Sequence, residues 1–396
     1  LFTNPEAAKS LLLFRYNTLP MALERAKMLD CKGACYPIAT LNGDEACPLW
    51  QHASLQLQPS TAVSYGIWHY VHLTDDKAFL YRYGAEMLLQ IARFQATRVG
   101  FSEKIGKYGF FGVMGPDEFH MMVNNNAYTN YMGMRALRYA ADVLDAMRAD
   151  APETYAALCE KVELASDEPA QWRHIADNMY IPETPDHLFE QHDGFFELPH
   201  TDINSIPVSE FPLYDHWAYD RIYRTDMIKQ PDVLMGLYFL NHVYDTETLR
   251  RNFDFYAPLT LHESGLSPCI HSIMAAQLGE KDLAVAMYKR TARYDLDNIN
   301  QDLQDGLHIT SMSGSWLAIA KGFAGMRTLG GLRFKPFLPD CWNGYSYKFN
   351  YRGRIIELRV KPKGVTLTLI SGEPISVTIY GHPYELEDVL TVPLEG

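Results

Sequence analysis

Apolar residues recur at helical spacing along the first three quarters of the 396-residue chain. Residues three or four positions apart share one face of an α-helix, so this pattern predicts amphipathic helices around a common core. The region 7–28 is interrupted at Pro20, and a long helix is predicted to begin at Ala127 with Asn126 as its cap. The other predicted helices cover 63–73, 79–94, 153–165, 169–178, 233–243, 246–256, 267–278, 281–294 and 315–323.

The pattern changes at Gly330 and Gly331, after which short alternating runs are bounded by Gly, Pro and Asn. Such runs are typical of β-strands. We therefore predict two domains, a helical domain over 1–329 and a small all-β domain over 330–396 whose role is structural. Repeated helical hairpins indicate an α/α toroid. The irregular stretch 181–225 is predicted to be functional, because long loops in compact domains usually are.

Composition narrows the class of protein. The formal net charge is −13 and no basic stripe is present, which argues against binding to nucleic acid. No apolar run reaches the length of a membrane span and no charged-then-apolar leader opens the chain, so we expect a cytoplasmic protein without a membrane partner. The six cysteines lack metal-ligand spacing and are expected to be reduced and mostly buried, and no metal is expected. The chain begins at Leu1 rather than Met, and we expect it to be a piece of a longer protein.

The stretch 108–130, YGFFGVMGPDEFHMMVNNNAYTN, is the strongest candidate for chemistry. Its aromatic run stops at Gly115 and Pro116, and two carboxylates and a histidine follow at once. Aromatic neighbours provide low-dielectric walls suited to a general acid, and Glu118 is the first candidate. A turn whose acidic residues favour the following helix would account for the PDE tripeptide alone.

Two further groups of polar residues precede predicted helices. His262, Glu263, Ser264 and Ser267 lie within LTLHESGLSP, and a second cluster, His308, Ser311, Ser313 and Gly314, lies within DGLHITSMSGSW. Helix capping explains such hydroxyl residues, and Ser267 in particular is expected to be a cap. The same residue types at a helix N-terminus also form anion sites. Lys229 and Gln230 precede another helix, where a solvated helix start is the ordinary interpretation.

Several strings in the chain resemble glycoside hydrolase family 65, the inverting phosphorylases of α-glucosides such as maltose, kojibiose, nigerose and trehalose. The longest is GPDEFH followed by VNNNAYTN, which resembles the catalytic loop of that family. The others, in family order, are RYNTLPMALERAKMLDCKGACYP, GDEACPLW, KQPDVL, HESGLS, GLHITS and GFAGMRTLGGLRFKPFLPDCW.

The resemblance implies a mainly α fold, an (α/α)6 barrel followed by a small C-terminal all-β domain. It also implies a large N-terminal β-sandwich and a GHxFWDTE donor segment, which have no counterpart in this sequence and are expected in another part of the same protein. A homodimer is expected. The resemblance implies no cofactor, because inorganic phosphate is the co-substrate.

Site residues follow from the same resemblance. Glu118 is implied to be the catalytic acid, and Asp117 and His120 to orient it or to line the sugar site. Lys229 and Gln230 are implied to bind the sugar. The implied phosphate-binding residues are His262, Ser264, Gly265, His308, Ser311 and Ser313. Gly265 stands where the family has a second serine, which leaves one hydroxyl fewer in that loop.

The expected reaction is inverting phosphorolysis of an α-linked glucosyl disaccharide to β-glucose 1-phosphate and a free sugar. Two alternatives stay open, an inverting hydrolase in which Glu263 activates water, and a non-catalytic carbohydrate-binding fragment. The family often has HEHVDNN where residues 120–126 read HMMVNNN. Loss of an acid and gain of methionines close to Glu118 predicts a kojibiose- or nigerose-like substrate, or a non-glucose acceptor, rather than maltose. The alternative is that both methionines point into the helical core.

Overall fold

A computed structural model describes residues 1–240 and 242–395, with the backbone alone at Asp305. The described chain forms two compact units. The first contains residue 1 and residues 3–197, and the second contains residue 2 and the chain from Leu198 onward.

The first unit is helical. A proline in the first turn of α2 agrees with the predicted break at Pro20, because the fixed φ of proline suits a helix start. A π-helical turn, Leu80–Gly84, joins α5 to α6, and a two-stranded hairpin, β1 Gly100–Ser102 and β2 Lys107–Gly109, follows α6. The helices are α1 Pro5–Asn17, α2 Leu19–Met28, α3 Trp50–Leu55, α4 Gln58–Thr74, α5 Lys77–Phe79, α6 Ala85–Arg98, α7 Ala127–Asp150, α8 Pro152–Lys161 and α9 Glu168–Asp177.

Helix α7 is the centre of this unit, and it packs against α4, α6, α8 and α9. Its predicted cap is confirmed, since the Asn126 side chain accepts a hydrogen bond of 3.0 Å from the Thr129 amide. Such a cap stabilises a helix by about 1 kcal/mol. The buried face includes Leu137 and meets fully buried side chains such as Trp172 of α9 and Phe94 of α6. The long helix therefore holds fixed the loop that precedes it.

The second unit begins with a loop-rich segment and continues as helices. Helices α13 and α14 have the bounds that the sequence predicts, whereas α16 begins six residues before the predicted start at 315. The predicted long loop contains short helices. The helices are α10 Leu213–His216, α11 Tyr219–Tyr223, α12 Asp232–Phe239, α13 Thr246–Tyr256, α14 Ser267–Leu278, α15 Lys281–Ala292 and α16 Ile309–Leu317, and a π-helical segment, Ala318–Phe323, follows α16.

The C-terminal part of the second unit is all β, as predicted. Strands β4, β5, β6 and β9 form an antiparallel sheet in that order, and β3 pairs in parallel with β7, which pairs with β8. Alternate residues such as Ile356, Leu358 and Val360 are buried, which is the period-two pattern of a sheet with one covered face. The strands are β3 Leu332–Phe334, β4 Tyr345–Tyr351, β5 Arg354–Lys361, β6 Gly364–Ser371, β7 Ile375–Ile379, β8 His382–Leu386 and β9 Val389–Val392.

The order of elements confirms the predicted fold class, a mainly helical chain followed by a small all-β part. The compact units divide the chain elsewhere, after Glu197, so the domain boundary at 329 and 330 stays a prediction. Among the helices described, none combines the length and apolarity that a membrane crossing requires. All six cysteines are free, but only Cys35 and Cys269 are buried, so the expectation of mostly buried thiols is wrong.

Candidate active site

The acid loop, residues 113–126, is closed by its own backbone. Val113 and Val123 exchange two hydrogen bonds of 2.9 Å, and the Asn125 amide donates to the Phe110 carbonyl over 2.8 Å. The side-chain amide of Gln56 donates to the Gly115 carbonyl at the turn before the carboxylates. Within this frame Glu118 is partly exposed, while its neighbours Asp117 and Phe119 are fully buried. The loop thus leaves the Glu118 side chain partly exposed and buries that of Asp117.

Asp117 is the anchor of the acid loop. Its Oδ1 accepts from the Phe119 amide over 3.2 Å, and its Oδ2 lies 2.7 Å from His120 Nδ1. The side-chain amide of Gln191 donates to the same Oδ2 over 2.9 Å. A buried carboxylate needs several donors to offset its lost hydration, and these groups supply them. The structure therefore places both Asp117 and His120 beside the candidate acid.

Gln191 and His192 were not predicted as site residues. His192 Nδ1 donates to the Asp193 carbonyl over 3.0 Å, which leaves Nε2 with its lone pair. Burial, together with the nearby His120, lowers the pKa of His192 to about 4, so the imidazole is neutral at physiological pH. The His120 and His192 rings lie 5.1 Å apart, centroid to centroid. The only sequence signal was the polar QHDG string inside the irregular stretch.

In the second unit, a short parallel pairing joins two of the predicted segments. The Ile228 amide donates to the Leu259 carbonyl and the Leu261 amide donates to the Ile228 carbonyl, both over 2.9 Å. The pairing brings the Lys229–Gln230 dipeptide beside the loop that begins at His262. Gln230 is buried, and the Lys229 ammonium lies 4.9 Å from the centre of the Tyr214 ring. That geometry is a cation–π contact.

The polar loop 262–265 connects this pairing to α14. His262 has a left-handed backbone with φ of 60°, and its Nδ1 lies 2.9 Å from Ser267 Oγ. Burial holds the pKa of His262 well below its ordinary value, and the neighbouring His271 ring lowers it further. Ser267 is therefore a partner of His262. The predicted capping role of Ser267 is wrong, because Leu266 holds the cap position and no side chain caps α14.

Ser311 joins the two polar clusters. Its hydroxyl donates to the Gly265 carbonyl over 2.9 Å, and both residues are buried. The Ser264 hydroxyl accepts from the Leu266 amide over 3.1 Å, which leaves its own proton to donate. A Cβ at Gly265 would lie 2.7 Å from Ser311 Oγ. The glycine that replaces the family serine therefore makes room for the hydroxyl of the other cluster.

His308 lies between two carboxylates. Its Nδ1 is 2.7 Å from Asp295 Oδ1, its backbone amide donates to Asp295 Oδ2 over 2.9 Å, and its Nε2 is 3.4 Å from Asp302 Oδ2. The Tyr294 ring packs edge-on against it at 4.7 Å. Ser313 was predicted to precede the helix with His308. It instead lies inside α16, is exposed, and donates back to the Ile309 carbonyl over 2.8 Å.

Glu263 makes its hydrogen bond to a residue outside its own loop. Its Oε1 accepts from the Leu213 amide over 2.6 Å, while Oε2 is buried without a partner in the described structure. Burial raises the pKa of this carboxyl group, and the Lys229 ammonium opposes that shift. Glu263 and Arg290 line a cavity of about 330 Å³ within the second unit. Across the described residues, no cluster of three or more His, Cys, Asp or Glu is placed to hold a metal ion.

Two models of one protein family match this chain. The model of the "Glycosyl hydrolase family 65 central catalytic domain" matches residues 1–317, and that of the "Glycosyl hydrolase family 65, C-terminal domain" matches residues 326–386. The chain belongs to glycoside hydrolase family 65. The resemblance found in the catalytic loop is therefore confirmed over most of the chain.

Members of the family with a curated name are similar to this chain. It is 42% identical over 385 residues to a maltose phosphorylase of Bacillus subtilis, covering 97% of this chain and 50% of that protein. It is 39% identical to an α,α-trehalose phosphorylase of Thermoanaerobacter brockii, covering 98% and 50%. A solved structure described as a candidate kojibiose phosphorylase from the human microbiome matches with a TM-score of 0.93 at 42% identity, covering 99% and 52%.

The structural match agrees with the (α/α)6 barrel that the resemblance implied. The chain spans about half the length of the curated relatives it matches.

Proposed function

We propose that the protein containing this chain is an inverting disaccharide phosphorylase. The observation that carries the proposal is the hydrogen bond from Ser311 to the Gly265 carbonyl, which holds the two polar loops together. Ser264 and the Gly265 amide belong to a loop next to His308, whose side chain would lie 3.4 Å from a Cβ at position 265. Donors from two adjacent loops suit a phosphate dianion. Ser313 is left out of this set because its hydroxyl serves the helix backbone. His262 contributes through the Ser267 contact rather than as a cation, since burial depresses its pKa.

In the proposed reaction, Glu118 gives its proton to the glycosidic oxygen of the leaving sugar. Phosphate attacks the anomeric carbon from the opposite face, and the product is β-glucose 1-phosphate. A protein base is not required, because phosphate arrives ionised. The partly exposed Glu118 beside the fully buried Asp117 supports this division of roles, since only the former is open to a substrate. Lys229 and Gln230 bind the glucosyl group, and no cofactor takes part.

Hydrolysis is the second candidate, and the setting of Glu263 argues against it. A general base must reach the water that it activates. One oxygen of Glu263 is committed to the Leu213 amide and the other is buried. Phosphorolysis and hydrolysis are separated by one assay on the full-length gene product. Release of free sugar from the disaccharide should require added phosphate, whereas equal release without phosphate would establish a hydrolase.

The proposal extends to the kind of acceptor sugar that the enzyme prefers. Met122 is 60% exposed with φ of 58°, so its side chain is not part of the helical core. The Asn124 side chain accepts from the Gly112 amide over 3.0 Å, and an amide there cannot offer the charge of the family carboxylate. A carboxylate that accepts a sugar hydroxyl discriminates strongly, whereas methionine adapts to many shapes. We therefore propose kojibiose or nigerose, rather than maltose, as the preferred kind of substrate.

A further inference from the structure

One residue outside the acid loop contacts that loop at two separate points. The Gln191 carboxamide donates to Asp117 Oδ2 over 2.9 Å, next to the acid. The Gln191 carbonyl accepts from the Ala127 amide over 2.9 Å and from the Asn126 side chain over 3.2 Å, where the loop enters α7. The interior of the loop at Asp117 and the C-terminal end of the loop are thus both bonded to Gln191, which lies 74 residues from Asp117 in the sequence.

The orientation of the Gln191 amide is set by its partner. A carboxylate only accepts hydrogen bonds, so the NH₂ group must face Asp117 and the amide oxygen must face away. That oxygen is buried and has no partner in the described structure. A buried acceptor without a donor is unfavourable, so the oxygen end of this side chain does not explain a glutamine at position 191. The contribution of the Gln191 side chain is therefore its bond to Asp117.

The bond also affects what Asp117 does for its neighbour. Asp117 accepts from His120 and from the Phe119 amide as well, so its position fixes the backbone on the C-terminal side of Glu118. Without the Gln191 donor, this buried carboxylate loses one of the hydrogen bonds that hold it in position. Small displacements of a catalytic group lower the rate steeply, because proton transfer needs hydrogen-bond geometry.

We propose that Gln191 is a positioning residue that holds Glu118 in place through Asp117. The inference rests on the proposed function, since it takes Glu118 to be the acid. It assigns to the irregular stretch 181–225 a role in catalysis that is independent of substrate contact.

The test compares two glucosyl donors in the presence of phosphate. A disaccharide needs a proton on its leaving oxygen, whereas the fluoride of α-glucosyl fluoride leaves with much less help from an acid. Gln191→Met keeps the length of the side chain and removes its donor. We expect kcat for the disaccharide to fall about 10-fold or more, with little change for the fluoride or in the Michaelis constant for phosphate.

The matched control is Gln95→Met. Gln95 of α6 is also fully buried, and neither of its amide atoms has a partner in the described structure. This replacement alters the same kind of side chain in the same unit without breaking a bond to the acid loop. It should leave the ratio of the two activities at the wild-type value.

A second variant distinguishes the loss of the hydrogen bond from a folding defect. Gln191→Glu keeps the size, and the new carboxyl donates to Asp117 only when it is protonated. Its disaccharide activity relative to wild type should therefore rise as the pH is lowered. Equal losses on both donors in Gln191→Met, or no loss on either, would overturn the positioning role. Glu118→Gln tests the proposed acid separately. Equal losses of activity on both donors in that variant would show that Glu118 is not the acid, and the inference about Gln191 would then fail as well.

Discussion

Ser311 and Gly265 are joined by a hydrogen bond of 2.9 Å, from the hydroxyl of one polar loop to the carbonyl of the other. The same pair is in steric competition, since a Cβ at position 265 would lie 2.7 Å from the Ser311 oxygen. The glycine at position 265, where the family has serine, therefore leaves the space that the contact between the two loops requires.

Gly265→Ser should test that arrangement. The added side chain displaces the Ser311 hydroxyl, and overpacking of this kind costs about 1–3 kcal/mol. We expect a lower free energy of unfolding in urea and a higher Michaelis constant for phosphate. Adding Ser311→Ala should recover part of the stability, because the crowded oxygen is then absent. Additive effects of the two replacements would show that the residues do not compete.

The proposed phosphate site predicts selective kinetic defects. Ser264→Ala and His308→Ala each remove a donor, and a hydrogen bond to a charged group contributes about 1.5–3 kcal/mol. The apparent Michaelis constant for phosphate should rise about 10-fold or more, while that for the disaccharide changes little. His187→Ala is the control, since it breaks a histidine–carboxylate pair at the surface of the first unit. Equal effects on both substrates would move Ser264 and His308 to the sugar site.

Replacing Glu118 or Glu263 by glutamine should have different effects on turnover. Glu118→Gln should lower disaccharide turnover by roughly 10²-fold or more, because the amide cannot protonate the leaving oxygen. Glu263→Gln keeps an oxygen for the Leu213 amide and should change turnover only a few-fold. Steady-state kinetics of both variants decides the matter. The reverse order of effects would favour the hydrolase with Glu263 as base.

The buried histidines predict how stability depends on pH. Burial holds the pKa of His192 at about 4, whereas an unfolded histidine titrates near pH 6.5. Between these values the unfolded chain binds a proton that the folded chain does not, so the free energy of unfolding falls as the pH drops. The full loss is about 3 kcal/mol for this residue. His271 in the second unit, with a pKa also lowered to about 4, acts in the same direction.

His192→Gln removes one of these titrations. Urea unfolding at several pH values from 7 down to 4.5 should show a slope against pH that is smaller than that of wild type by up to about one proton. A slope identical to the wild-type slope would show that His192 does not stay neutral in the folded protein.

The acceptor proposal predicts a change in substrate preference. Restoring the family residues with Met121→Glu, Met122→His and Asn124→Asp should lower the ratio of kcat/KM for kojibiose to that for maltose. The expected cause is the restored carboxylate, which can accept a hydroxyl of the maltose-type acceptor. An unchanged ratio would place the choice of acceptor elsewhere, and the stretch 181–225 would be the next region to vary.

Periodicity was sufficient for the regular helices. The bounds of α13 and α14 agree with prediction, and each helix has one clear boundary signal. Asp245 caps the start of α13, and Gly279 in the left-handed region ends α14. The π-helical segments Leu80–Gly84 and Ala318–Phe323 were not predicted, because they contain ordinary helix-forming residues. Helix α3 was also missed, since six residues are too few to establish a period.

The candidate site was predictable in part. Contiguous strings indicated Glu118 and the two polar loops as candidates, since the residues of each motif are neighbours in the sequence. Pairing between distant segments was not predictable, and the bond from Gln191 to Asp117 spans 74 residues. The contact of Ser311 with Gly265 belongs to the same class, because it depends on tertiary packing that local patterns do not encode.

The most direct test follows the reaction itself by ¹H and ³¹P NMR. The full-length gene product is incubated with kojibiose, with and without inorganic phosphate, and the first-formed products are recorded before mutarotation. The account predicts β-glucose 1-phosphate and free glucose in equal amounts, and no turnover without phosphate. Formation of α-glucose 1-phosphate, or release of glucose alone at the same rate without phosphate, would contradict it.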